Sequence, residues 1–315
     1  MTPGEKIPRY LRQFALLLYW VFFTPAICAA ADLRVSLVLS GDGVPYQSFV
    51  KTFKQNLPEN IRISVVERAE DFTGKEQASD LIVAVGMKAA DWVTGKTASP
   101  VLATMVPSNK YAELLTKRPR AGQISAIYLD QPLSRQVDML QAVLPKRYRK
   151  IGILYFADTR LDVRALLNGM AQHGYTLIAK PLLTRDNLFV DLEEVLKDSD
   201  VLFAVPDNAV YSSNNIRNIL LSSYRRGIPL VGFSQGYVNA GALCAIFSTP
   251  ENLAEQARAM AILFAQTHQL PAAQFPALYT VDVNPEVARA LGIPMKSPEL
   301  LRSLIEEAQK ERHDE

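Results

Sequence analysis

The sequence contains few cysteines and histidines for its length. Its 315 residues include two cysteines, Cys28 and Cys244, and three histidines, His173, His268 and His313. The histidines are scattered, with no carboxylate or cysteine at the spacing of a metal motif, so we expect no metal site. Cys28 belongs to the leader described below, so the mature chain would keep a single cysteine and no internal disulfide. Apolar neighbours predict a buried, unreactive thiol at Cys244.

The sequence also lacks phosphate-binding loops and an excess of charge. Neither a GxGxxG segment after a strand nor a GxxxxGK[ST] loop occurs, so we expect no nucleotide cofactor. Residues 1–31 hold three basic residues and one acidic residue, and without them the chain has no net charge. The densest basic run, 146–150, is typical of a solvated turn. This balance argues against nucleic acid as a partner.

The one long apolar run lies near the amino terminus. Residues 14–23 are all apolar and follow three basic residues, but they are shorter than the roughly 20 residues that a membrane-spanning helix needs. Small side chains lead up to Ala31, which predicts a signal peptide over residues 1–31 and a periplasmic protein. An uncleaved anchor is the alternative. Ile27 before Cys28 is not the small residue of a lipoprotein signal, which argues against lipidation.

Beyond the leader, short β-branched runs alternate with amphipathic helical stretches, and this alternation is typical of parallel βαβ units. The strands that we predict are 33–40, 61–68, 80–86, 100–106 and 124–130, then 150–156, 175–182, 200–207, 228–234 and 277–284. A helix at 132–144 separates the two sets, which predicts an α/β fold with two doubly wound parallel sheets. We assign residues 32–127 with 250–277 to one lobe, and 128–249 with 278–315 to the other. The last segment, 298–315, reads as a charged helix that docks on the body and then frays.

Ligands of such sheets bind beyond the carboxyl ends of the strands, so polar residues at strand ends are the candidate site. The candidates are Asp42 and Ser108 in the first lobe and Tyr155, Asp158, Asp207, Asn208, Ser234 and Gln235 in the second. Asp207 follows an apolar strand and is expected at the floor of a cleft. The alternative for Asp207 is a helix cap, since a helix is predicted to begin soon after it.

One segment suggests an enzyme. Gly232 to Gly236 reads G-x-S-x-G directly after a strand, as in the nucleophile elbow of serine hydrolases. The triad would need Asp282 and His313 as partners of Ser234, and His313 lies close to the chain end. No glycine-rich oxyanion loop of the HGGG type is present. A serine esterase is therefore a remote alternative to a binding protein.

Several segments of the second half match a known family in order and in spacing. They are VPDN at 205–208, IPLVG at 228–232, SQG at 234–236, GAL at 241–243, LQAVLPKRYRKIGILY at 140–155 and DVNPEVARALGI at 282–293. The sequence thus resembles the ABC-transporter substrate-binding family that includes tryptophan- and tyrosine-binding lipoproteins. It departs from that family at 106–108, where Val-Pro-Ser replaces the common T-D-P, and in lacking a lipobox.

The resemblance implies a type I periplasmic-binding fold whose two lobes are joined by three crossovers. It implies a monomer without cofactor or enzymatic activity that binds a small metabolite, such as an amino acid, and passes it to an ABC permease. Asp207 would hold a ligand ammonium, with Asn208, Ser234 and Gln235 as polar neighbours and Tyr155 as a flat face. A module that presents its ligand to a membrane sensor is the alternative within this fold.

The leader generates the first testable prediction. We expect mass spectrometry of the protein recovered from the periplasm to find an amino terminus at Asp32, because signal peptidase cleaves after small residues. Membrane-bound protein that still carries residues 1–31 would show that the leader is an anchor.

Overall fold

A computed structural model describes residues 32–74, 79–117, 123–159, 161–207 and 209–314. The predicted leader and Asn208 lie outside these residues. Within the described ranges, no helix is long and apolar enough to cross a membrane.

The first half of the chain forms a five-stranded parallel sheet in the order β2-β1-β3-β4-β5. The strands β1 to β5 are Leu33–Leu39, Ile61–Arg68, Leu81–Val85, Val101–Val106 and Ile124–Tyr128. β3 is buried along its whole length. Such continuous apolar strands are expected where helices cover both faces of a parallel sheet.

Helices from two distant parts of the chain cover this sheet, and together with it they form lobe 1. They are α1 (Val44–Lys54), α2 (Met87–Thr94), α3 (Ser108–Lys117) and the later helix α9 (Pro250–Thr267). Leu253 and Phe264 of α9 share a buried cluster with Phe49 and Phe53 of α1. α9 begins at a capping box in which Thr249 and Asn252 bond reciprocally, so its start is fixed by sequence.

The second sheet has six strands in the order β11-β10-β9-β8-β6-β7. The strands β6 to β11 are Lys150–Phe156, Thr176–Leu182, Val201–Phe203, Leu230–Gly232, Cys244–Phe247 and Thr280–Val283. All pairs are parallel except β10 with the edge strand β11. Cys244 is fully buried in this sheet, and desolvation raises the pKa of its thiol to about 12.

Helices from the second half pack around this sheet and complete lobe 2. They are α4 (Leu133–Val143), α5 (Val163–Gln172), α6 (Leu188–Asp198), α7 (Ile216–Arg225), α8 (Gln235–Ala240), α10 (Pro285–Ala290) and α11 (Pro298–Asp314). A short 3-10 helix, Arg185–Asn187, precedes α6. Two α/β lobes with separate buried clusters confirm the predicted fold class.

Three segments connect the lobes. Residues 129–132 lead from β5 into α4, residues 248–249 lead from β10 into α9, and residues 268–279 lead from α9 into β11. The third segment runs beside β5, where the backbone N–H of Tyr128 donates to the carbonyl of Gln274. These three crossovers form the hinge that the fold class implies.

The carboxyl-terminal helix docks on lobe 2, where its Leu301 and Ile305 belong to the buried cluster of that lobe. Arg312 donates to both carboxylate oxygens of Asp138 in α4, at 2.6 and 2.5 Å. The Asp138 side chain is 1% exposed and the Arg312 side chain 34%. The hydrogen bonds to Asp138 raise the pKa of Arg312. The sequence did not predict this contact, because its partners are far apart in the chain.

Replacing Arg312 tests how firmly this helix is held. We expect Arg312→Ala to lower the free energy of unfolding by about 1–3 kcal/mol in urea titrations, because it leaves a buried carboxylate without its donor. Arg226 is the matched control, because its ion pair with Glu193 is exposed on both sides. Arg226→Ala should cost less than about 1 kcal/mol. Equal losses in the two variants would contradict the buried pairing.

Candidate functional site

A cleft of about 750 Å³ lies between the lobes, at the carboxyl ends of their strands. Its size is that of a small-molecule site. Lobe 1 contributes Met87, Pro107, Asn109 and Lys110; the first two crossovers contribute Leu129, Asp130, Gln131 and Ser248; and the remaining lining residues come from lobe 2. The loops meet here because parallel strands point their carboxyl ends the same way.

A second depression, of about 500 Å³, lies at the opposite edge of the second sheet. It is lined by Arg147, Lys197 and Asp200 among others, all from lobe 2. The sheet topology places it at the amino ends of the strands and away from the cleft between the lobes. The cleft is therefore the candidate site.

The floor of the cleft is aromatic. Phe156, Phe203 and Phe233 line it from lobe 2, together with Phe247 from the end of β10. The ring of Tyr237 packs behind Phe233, with ring centroids 4.5 Å apart. Such flat apolar surfaces bind the apolar part of a ligand.

The lobe 1 side of the cleft carries two charges that the protein already partners. Asp130 accepts hydrogen bonds from the backbone N–H and the hydroxyl of Ser108, at 2.7 and 2.6 Å. Lys110 forms an ion pair with Glu113 at 3.0 Å. Ser108 thus lies behind the cleft and orients Asp130, while its neighbour Asn109 reaches the lining.

The lobe 2 rim carries two charges that have no partner among the described residues. Asp158 follows β6, and Arg185 follows the neighbouring strand β7. Both side chains are exposed and line the cleft. Neither forms a hydrogen bond or ion pair within the described chain, so both are available to a ligand.

Asp207 lies at the cleft but its carboxylate is occupied. Its Oδ2 accepts from the backbone N–H of Phe156 at 2.7 Å and from the hydroxyl of Thr159 at 2.6 Å. Its Oδ1 accepts from the N–H groups of Ala209 and Val210 at 2.8 and 3.3 Å. A carboxylate offers about four acceptor positions, so all are used. Asp207 is 4% exposed and connects the loops after β6 and β8.

The other predicted site residues are distributed unevenly. Ser234 lines the cleft, whereas Asp42, Tyr155 and Gln235 do not, and Asn208 lies outside the described residues. Arg185 was missed, although it follows the predicted strand 175–182, and the same strand-end rule would have found it. Gln131 was missed because only the folded hinge brings it to the cleft floor.

Ser234 does not have the geometry of a nucleophile elbow. Its φ of −157° and ψ of 163° are those of relaxed extended backbone, at the start of α8. Of the described histidine side chains, His173 bonds the Gly169 carbonyl of α5, and His268 ends α9 in lobe 1. Neither lines the cleft.

Solved structures resemble the described fold as a whole. A conserved domain protein from Vibrio cholerae superposes with a TM-score of 0.60 at 18% identity, covering 86% of this chain and 98% of that one. An ABC domain from Streptococcus pneumonia, in complex with L-Trp, gives 0.60 at 14% identity, covering 85% and 97%. CD0873, a substrate-binding protein with adhesive properties from Clostridium difficile, gives 0.66 at 18%, covering 85% and 97% in its open, ligand-free form. These likenesses, with the cleft, define a two-lobed periplasmic-binding-protein fold.

The sequence itself matches a family. The sequence model of the ABC transporter substrate binding protein family matches residues 51–303 of this chain. The chain therefore belongs to the ABC transporter substrate-binding proteins. No curated protein sequence matches it.

The bonds of Asp207 generate a prediction about stability. Asp207→Asn replaces one carboxylate oxygen by an NH2 group, so at least one backbone donor loses its acceptor. We expect a loss of about 1–3 kcal/mol in the free energy of unfolding. Asp162 is the matched control, because it caps α5 through one bond to the N–H of Ala165. Asp162→Asn should change stability by only a few tenths of a kcal/mol, because Asn caps as well as Asp. A loss at Asp207 as small as that at Asp162 would contradict this assignment.

Proposed function

We propose that the protein is an exported, monomeric receptor that binds an amino acid in the cleft and delivers it to an ABC permease. The two lobes that close on the ligand are residues 32–127 with 250–277 and residues 128–249 with 278–315. Residues 1–31 are the leader that directs the protein to the periplasm. It works as a binding protein and catalyses no reaction. The observation that carries the ligand class is the unpartnered pair Asp158 and Arg185 beside an aromatic floor.

The charges on the lobe 2 rim favour a zwitterion. Closing the lobes removes water from Asp158 and Arg185, and a buried charge is costly unless it is paired. An ammonium can bind Asp158 and a carboxylate can bind Arg185 through charge-assisted hydrogen bonds. A neutral sugar would leave both charges uncompensated.

The role that we propose for Asp207 follows from its four bonds. It holds the Phe156 and Thr159 segment against the loop after β8, and so shapes the lobe 2 side of the cleft, where Asp158 and Phe156 lie. A direct bond to a ligand ammonium would require one of these donors to leave. Ser234 contributes a hydroxyl to the same side of the cleft.

A thermal-shift panel tests the ligand class. We expect at least one L-amino acid to stabilise the protein, by about 2.7 kcal/mol at 100 times its dissociation constant. Ribose and arabinose serve as neutral comparators and should give no shift. Stabilisation by a sugar and by no amino acid would overturn the proposal.

Calorimetry on the amino acid with the largest shift tests the two charges. Asp158→Asn and Arg185→Gln should each weaken its binding at least tenfold, since a hydrogen bond to a charged group contributes roughly 1.5–3 kcal/mol. Asp186→Asn is the control, because Asp186 is an exposed neighbour of Arg185 that does not line the cleft. Unchanged affinity in both Asp158 and Arg185 variants would show that other groups hold the ligand.

A further inference from the structure

Arg135, near the start of α4, is a buried cation at the hinge. The residue is 8% exposed, and burial lowers the pKa of its guanidinium. Its Nη1 donates to Oε1 of Gln131 at 2.7 Å and to the carbonyl of Pro276 at 2.8 Å. Its guanidinium carbon lies 4.3 Å from the centroid of the Tyr279 ring. Gln131 lies on the first crossover, and Pro276 and Tyr279 lie on the third.

The hydrogen bonds continue from Gln131 to the second crossover. Nε2 of Gln131 donates to the hydroxyl of Ser248 at 2.9 Å, and that hydroxyl donates to the carbonyl of Leu278 at 2.6 Å. One connected set of bonds therefore includes all three crossovers. Gln131 is 5% exposed and Ser248 is 7% exposed, so these bonds are shielded from water.

The charge of Arg135 sets the direction of every bond in this set. A guanidinium only donates, so the atom of Gln131 that faces it must be the oxygen. The amide nitrogen then faces Ser248, and the Ser248 hydrogen is left to bond Leu278. Gln131 is also one of the residues that line the cleft, so the orientation of its amide is fixed at the site as well as at the hinge.

We propose that Arg135 is a positioning residue of the hinge: it fixes the orientation of the Gln131 amide and, through Gln131 and Ser248, joins the three crossovers into one unit. The lobes then move about a single axis, because no crossover can shift without breaking a buried hydrogen bond. This inference concerns the protein without ligand and does not depend on the amino acid proposed above.

The test measures the distance between the lobes in the full chain without ligand. Spin labels are placed by cysteine substitution at exposed Lys51 in α1 and Arg164 in α5, in a Cys28→Ser background. Cys244 is fully buried and does not compete for the label. Ser248→Ala removes the bond between crossovers, and Arg135→Lys keeps the charge but cannot hold Gln131, Pro276 and the Tyr279 ring together.

The matched control is Ser223→Ala. Ser223 is buried like Ser248, and its hydroxyl donates to the Ile228 carbonyl at 2.6 Å, but both residues lie within lobe 2. We expect a wider distribution of interlobe distances in Ser248→Ala and Arg135→Lys, with populated distances that the parent lacks. Ser223→Ala should match the parent.

Parent-like widths in a folded Ser248→Ala variant would overturn the proposal, and equal broadening in Ser223→Ala would do so as well, because the effect would then be general loosening. If Arg135→Lys fails to fold, Ser248→Ala still decides whether the bonds between the crossovers restrain the lobes. If no amino acid binds in the thermal-shift panel, the proposed ligand is rejected, but the measured interlobe distances are unaffected.

Discussion

The buried guanidinium of Arg135 is the constraint on which the arrangement of the lobes depends. A buried cation is stable only while its partners stay in place. The partners of Arg135 are Gln131, the Pro276 carbonyl and the Tyr279 ring, which belong to two different crossovers. Arg135 therefore holds the first and third crossovers in a fixed position relative to one another, although the two lobes that they connect are packed separately. It also sets the floor of the cleft, since Gln131 is both a hinge residue and a lining residue.

The walls of the cleft follow from the sheets. Each lobe places its strand-end loops at one edge, so residues distant in the chain meet without any local signal. Those loops need internal partners to keep their shape. In lobe 2, Asp207 is that partner, because its carboxylate accepts four hydrogen bonds from the loops after β6 and β8. On the lobe 1 side, Asp130 has the same role and accepts two hydrogen bonds from Ser108. Of the acidic residues that line the described cleft, these two are hydrogen-bonded by the protein, whereas Asp158 has no partner among the described residues.

The sequence predicted the order and type of the elements well, because apolar periodicity is a local property. Strands 61–68 and 150–156 have the predicted bounds. The strand predicted at 200–207 ends at Phe203, since Pro206 lacks a backbone N–H and the chain turns where the N–H of Asp207 bonds the Val205 carbonyl.

The contacts that the sequence could not predict are those between distant segments. Arg135 reaches a carbonyl 141 residues away, and Arg312 reaches Asp138 over 174 residues. Nothing in either residue's neighbourhood identifies its partner. Asp207 shows the same limit in another way: its place at a strand end was visible, but the number of donors around it depends on how the β6 and β8 loops meet.

The energetic cost of closing the lobes depends on which charged residues of the cleft already have partners in the protein. Lys110 is paired with Glu113 and Asp130 is bonded by Ser108, so the described lining residues on the lobe 1 side carry no unpartnered charge. If the empty cleft closed, Asp158 and Arg185 would lose water without gaining partners, which disfavours closure. A ligand that carries both charges removes that penalty and binds the closed form more tightly than the open one. Ligand binding and closure are then coupled through the charges of the lobe 2 rim, since a ligand shifts a conformational equilibrium only by its difference in affinity for the two states.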